Sequence, residues 1–112
     1  MTRSPRDRIN DIRTAIAAIH EFELDGRDKP VVFDAIRMRL LEIGEAANGI
    51  PADLRATEPT ILWGEIIGMR NWMAHRYFDT AHAYVWATVD HDLQPLLEAL
   101  SRLEAAIERE TK

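Results

Sequence analysis

The sequence predicts an all-α fold, an up-and-down four-helix bundle whose last helix is kinked or broken near Pro95. Three observations predict it. Apolar residues recur at three- and four-residue spacing along nearly the whole chain. Val, Ile and Thr nowhere form a convincing alternating run, and glycine or proline punctuates the apolar stripes at Gly26, Pro30, Gly49 and Pro51. With 112 residues, 46% of them apolar, one domain can bury a core without a disulfide or metal staple, and the chain is too short for two.

Each element follows from local signals. Ser4, Pro5 and Asp7 read as an N-cap, a first-turn proline and an acid placed against the positive end of the helix dipole. Ile9, Ile12, Ile16 and Ile19 then form one buried stripe, extended by Phe22 and Leu24, so the first helix is expected over about residues 5–24. Asp28 and Pro30 mark a second start. Val32, Ile36, Leu40 and Ile43 form its stripe, Met38 and Leu41 widen it, and Gly49 and Pro51 end it. The segment from Gly49 to Thr60 reads as a connection with one helical turn around Ala52 to Arg55. A third helix is expected from about Leu62 to Tyr77, with Ile66, Ile67, Met69 and Met73 inward. Asp79 or Thr80 can cap a fourth, in which Trp86, Val89, Leu93, Leu96, Leu100, Leu103 and Ile107 keep a heptad seam. Pro95 lies within that seam, where it lacks a backbone donor and crowds the carbonyl of His91, so a kink or break is expected between Asp90 and Gln94.

Composition excludes several function classes. Having no cysteine, the chain has no thiolate zinc site, iron–sulfur cluster or thiol nucleophile. No apolar run approaches the roughly 20 residues of a membrane span, and Met1 to Asn10 are charged, so the expectation is a cytoplasmic protein without a membrane partner. A net charge of -5 argues against bulk electrostatic coating of nucleic acid; RNA or a nucleotide must meet a local basic patch.

Chemistry concentrates in residues 68–79, GMRNWMAHRYFD, where Arg70, Asn71, His75 and Tyr77 fall within about two turns. On an ideal helix Asn71 and His75 share a face, as do Arg70 and Tyr77, whereas Arg70 and His75 lie roughly 140° apart. They converge only if the helix ends near His75 or the Arg70 side chain reaches around. Histidine can serve as base or acid near neutrality, and a guanidinium offers paired, permanently charged donors to phosphoryl oxygens.

Arg70, four intervening residues, His75, Arg76 and Tyr77 resemble the R-x4-H-x-Y signature of the HEPN superfamily, specifically the HepT-like ribonuclease toxins encoded beside a minimal nucleotidyltransferase in type VII toxin–antitoxin systems. The flanking Trp63-Gly-Glu-Ile-Ile-Gly-Met-Arg-Asn71 run, Trp86, Asp92-Leu-Gln-Pro95 and the glutamate-rich Leu41-Glu-Ile-Gly-Glu45 extend the resemblance over roughly residues 6–105. It implies that residues 1–112 form a single HEPN-like helical domain. It also implies a metal-independent endoribonuclease acting as a homodimer, with Arg70, His75 and Asn71 of two subunits lining one cleft and no cofactor. His75 would move the protons, Arg70 would hold the phosphate, and Asn71 would position the phosphate or orient the imidazole. Tyr77 would accept AMP from a cognate nucleotidyltransferase antitoxin, which puts bulk and negative charge where RNA must lie.

Two other readings remain open from the residues. The cleft of a non-catalytic subunit could bind a nucleotide or the substrate of a nucleotidyltransferase, or the chain could be a purely structural dimeric bundle. His20, His82 and His91 lack metal-ligand spacing and read as structural or surface residues, and Asp90-His-Asp92 as a solvated helix bend. Trp63, Trp72 and Trp86 read as packing or interface residues. Arg37 and Arg39 read as a solvated pair that extends the basic patch if the second helix borders the cleft. Glu98, Glu104, Glu108 and Glu110 read as an exposed face.

Overall fold

A computed structural model describes residues 2–74 and 78–110, with side chains for 2–74 and 82–110. The described residues form six α-helices and no strand: α1 (Pro5–Glu23), α2 (Pro30–Asn48), α3 (Ala52–Arg55), α4 (Trp63–Trp72), α5 (Phe78–His91) and α6 (Leu93–Glu110). The all-α bundle of the sequence reading is present. In it α2 packs on both α1 and α4, and α6 packs on both α1 and α5.

The α1 start is built as its sequence dictates. The Ser4 hydroxyl accepts from the Asp7 amide and the Asp7 carboxylate accepts from the Ser4 amide, each at 3.0 Å, closing a capping box ahead of Pro5. The same bonds hold the Asp7 carboxyl below its ordinary range. Ile9, Ile12, Ile16 and Ile19 are all buried, while Phe22 is partly so. Leu24 is not part of the stripe. It is 83% exposed, because the helix ends at Glu23 and the chain turns away through Gly26, whose φ of 108° an L side chain rarely adopts.

Pro30 opens α2 as expected, but its N-cap is Lys29 rather than Asp28 and makes no side-chain cap bond. Val32, Ile36, Leu40 and Ile43 are buried together with Phe33, Ala46 and Ala47. Met38 is half exposed, since α1 and α4 cover the helix on other sides. The expected fourth helix is two helices. Asp92 separates α5 from α6, and Pro95 lies in the first turn of α6, where an N–H would have no intrahelical acceptor. The predicted break is therefore present. α5 begins at Phe78, so Asp79 and Thr80 lie inside the helix and neither is its cap.

Ion pairs fasten the ends of this frame. Arg13 meets Glu104 at 2.8 Å, joining α1 to α6 and holding the Glu104 carboxyl low. Glu104 is thus not merely part of an exposed face. Arg27, in the α1–α2 turn, bonds Glu23 and Asp90 and lies 4.6 Å from the centre of the Trp86 ring. The hydrogen bonds to Asp90 and Glu23 raise its own pKa, and the bond from Arg27 lowers that of Asp90.

Candidate active site

α4 places the first half of the motif, and two features draw it onto α2. The first is Gly44. A methyl group there would stand 2.9 Å from the Ile66 oxygen and the Arg70 nitrogen, and 3.1 Å from the Ile67 oxygen, all backbone atoms that cannot swing aside. Glycine lets the two helix backbones touch at the turn that carries Arg70. The second is the anchored start of α4. The Trp63 indole donates to the Glu58 carbonyl at 3.1 Å, and the Glu58 carboxylate takes Arg102 of α6 at 2.7 Å. Ile66, Met69 and Met73 are buried and Ile67 is partly buried, in agreement with the expected apolar side.

The helix stops earlier than its pattern predicts. It ends at Trp72, with Met73 as C-cap, rather than at Tyr77. Gly and Asn, the usual residues for a left-handed helix end, are missing after Trp72, so the terminal carbonyls need another donor. Arg37 of α2 supplies it, donating to the Met73 carbonyl from Nη2 at 2.8 Å and from Nε at 3.3 Å, with its side chain only 15% exposed. Arg37 is thus turned onto the motif helix and is not a solvated surface charge. Its sequence neighbour Arg39 pairs instead with Glu42 at 2.8 Å.

Arg70 occupies the last turn of α4 and is half-buried, and among the described residues it has no carboxylate or carbonyl partner. Asn71 beside it is exposed. Two guanidiniums, those of Arg37 and Arg70, therefore belong to the junction of α2 with the end of α4 in a chain whose net charge is negative. His75 and Tyr77 lie outside the described residues, and with them the helical-wheel relations expected of Arg70, Asn71, His75 and Tyr77.

His82 and the tryptophans are placed by packing, and His20 and His91 are exposed. His82 stacks on Phe33 with ring centres 3.8 Å apart, tying α5 to α2, and Trp86 meets the same ring edge-on at 5.9 Å. Trp63 is buried, whereas Trp72 is 45% exposed and stacks on Tyr84 at 5.5 Å. Tyr84 borders a cavity of about 140 Å³ with Met69, Pro95, Glu65 and Asp92. Burial first, then these two carboxylates, pushes its phenol pKa up. Among the described residues no three of His, Asp and Glu gather as a metal site, and no helix is long and apolar enough to cross a membrane.

Arg37 is the residue of this region that sequence reasoning undervalued. The available signal was the uncapped end of α4, which demands a donor from elsewhere in the fold.

Residues 6–103 match the family model described as ribonuclease HepT-like. The chain is 36% identical over 109 residues to a probable ribonuclease HepT of Thermococcus cleftensis, covering 92% of this chain and 98% of that protein. It is 31% identical over 88 residues to a putative RNase of Methanocaldococcus jannaschii, covering 79% and 72%. A second M. jannaschii protein, named as a gamma-glutamylcyclotransferase and putative RNase, is 25% identical over 114 residues, or 97% of this chain and 51% of the relative. No solved structure gives a significant match. The match over nearly all of the chain, to the family and to a full-length relative, makes this protein a member of the HepT-like ribonuclease family.

Proposed function

We propose that this chain is a metal-independent endoribonuclease toxin that acts as a homodimer and is silenced by a nucleotidyltransferase antitoxin through attachment of AMP to Tyr77. The observation that carries the reading is Arg70. It is a half-buried residue at the end of α4, without a described acid or carbonyl partner, five residues before the only histidine of the motif. A guanidinium that meets no acid or carbonyl among the described residues is free to offer its paired, permanently charged donors to an external phosphate.

The chemistry needs few groups. The 2′-hydroxyl loses its proton to a base and attacks phosphorus, the bond to the 5′-oxygen breaks, and an acid returns a proton to that oxygen. A histidine in each protomer supplies the base and the acid in turn. Arg70 meets the charge that grows on the non-bridging oxygens, with two donors in a fixed plane. Asn71, exposed on the next position, would hold the phosphate or orient the imidazole.

The dimer draws support from the outer face of α4. A methyl group added at Gly64 or Gly68 meets nothing within 4 Å among the described residues, so neither glycine is required by their packing. Each costs the helix roughly 0.5–1 kcal/mol relative to alanine. That cost has a purpose if a second backbone approaches there, beside exposed Asn71 and Trp72. A two-fold axis along this face would bring two copies of the motif together.

The test uses purified protein, labelled RNA and EDTA. Cleavage is expected from the wild type, with a fall of about 10²–10⁴-fold in His75→Ala, the range of general acid–base catalysis. Intact RNA beside saturable binding of ATP or AMP would instead establish the non-catalytic subunit. Light scattering of the same samples is expected to give twice the protomer mass. After co-expression with a nucleotidyltransferase, peptide mass spectrometry is expected to find one adenylate on Tyr77 and none on Tyr77→Phe.

A further inference from the structure

Arg37 is bound to the end of the motif helix, one turn beyond Arg70. It donates twice to the carbonyl of Met73, three residues after Arg70, and is itself desolvated. Met73 is buried, and its amide closes the last intrahelical bond to the Met69 carbonyl at 2.8 Å. The final turn of α4 is thus closed from within by Met73 and from outside by Arg37. Gly44, seven residues along α2 from Arg37, lets the backbone of Arg70 rest directly on α2. Seven residues are about two helical turns, so the two contacts lie on one face of α2 and hold α4 at two points along its length. A guanidinium at the end of a three-carbon stem magnifies any rotation of the turn beneath it.

We infer that Arg37 is a positioning residue for the RNA-cleaving reaction: by capping the Met73 carbonyl it fixes the last turn of α4, and with it the aim of the Arg70 guanidinium at the phosphate. Arg37 touches no substrate in this account. It acts through Arg70, and the inference rests on the ribonuclease reading above. Three properties follow from the geometry. The effect belongs to the hydrogen bonds more than to the charge, because the acceptor is a neutral carbonyl. It falls on the chemical step, because Arg70 is needed most where charge develops. It disappears when Arg70 is removed.

The experiment is a double-mutant cycle on the full chain, with steady-state cleavage of a short labelled RNA in EDTA. Arg37→Gln is expected to lower kcat by about tenfold to a hundredfold, as misplacement of a catalytic group does, with KM changed less than threefold. Arg37→Lys, which keeps one donor, is expected to recover part of the loss. In an Arg70→Ala background the same Arg37→Gln change is expected to cost less than twofold, since coupled residues are not additive. Arg39→Gln, about 200° around α2 from Arg37 and paired with Glu42, serves as the control and is expected to cleave like the wild type.

Equal kcat in Arg37→Gln and wild type overturns the inference, and so does a loss that multiplies undiminished in the Arg70→Ala background, which marks a general structural role. Wild-type protein that leaves RNA intact overturns the ribonuclease reading and this inference with it, whereas active wild type beside equally active Arg37→Gln removes the inference alone. Should Arg37→Gln fail to fold, Arg37→Lys in both backgrounds carries the same cycle.

Discussion

The α1–α2–α6 side of the molecule and the α4 corner are built on different terms. On the first side local and global signals agree. A capping box opens α1, its isoleucine stripe is wholly buried, and Leu96, Leu100 and Leu103 of α6 pack into the same core, with Arg13 and Glu104 bridging the helices outside it. The α4 corner contradicts local preference repeatedly. Leu62 caps α4 without a side-chain bond, Gly64 and Gly68 weaken its outer face, and no glycine or asparagine closes its end. A ten-residue helix of this kind is marginal alone and is held by what it leans on. The difference teaches where to look for function. A segment that breaks its own rules and is braced by distant residues is a segment under a constraint other than folding.

The contrast predicts that damage on the two sides separates stability from activity. The largest effect on stability is expected from Leu100→Ala, in a fully buried position of α6. Loss of about 2–5 kcal/mol, read from urea unfolding, should leave cleavage per folded molecule unchanged. A large loss of activity at full folding would show that the two regions are not separate.

Next comes the pair Gly44→Ala and Gly68→Ala. The first methyl meets three backbone atoms, so a destabilisation of about 1–3 kcal/mol is expected, accompanied by loss of cleavage as α4 is pushed off α2. The second meets open space and is expected to stabilise the helix by roughly 0.5–1 kcal/mol while weakening self-association. Light scattering and urea melts read both. Equal behaviour of the two variants would remove the distinction between the inner and outer faces of α4.

The smallest effect is that of acid. Hydrogen bonds from Arg27 and Arg13 hold the carboxyls of Asp90 and Glu104 below their unfolded values. Groups with depressed pKa values bind fewer protons when folded, so their contribution is present above the unfolded carboxylate range and is lost as pH falls through the folded value. Stability is therefore expected to be nearly flat above about pH 5 and to decline below about pH 4. Arg27→Gln should shallow that decline, seen first in hydrogen exchange of α5, and Arg13→Gln should do so in α1 and α6. These ties are exposed enough for salt to screen them, and 1 M NaCl should blunt both.

Much of this was legible in the residues. Ser4, Pro5 and Asp7 announce the start of α1 because a capping box involves only neighbours in sequence. The stripes of α1, α2 and α6 announce their buried faces because a periodic apolar pattern has one way to hide. Pro95 announces the interruption at Asp92 because a missing donor and a clash with the preceding turn are properties of proline itself. The errors lie where a neighbour from elsewhere decides. Met38 and Leu24 are apolar and were expected to widen or extend the stripes, yet they are exposed, because nothing among the described residues comes to cover them. Asp79 and Thr80 resemble caps, but the helix has already begun. The third helix was expected to run to Tyr77 because its pattern continues that far.

The amino-acid order alone determined the helical class, the buried stripes, the proline-induced break and the segment that gathers arginine, asparagine, histidine and tyrosine, because each depends on bonds and periodicities a few residues long. Tertiary structure alone decided that α4 ends at Trp72, that Gly44 lets it rest on α2, and that Arg37 rather than a local residue closes its last turn. Those contacts span 22 to 36 residues of chain. A carbonyl that must be satisfied by a side chain so far away leaves no mark in its own neighbourhood except the missing cap.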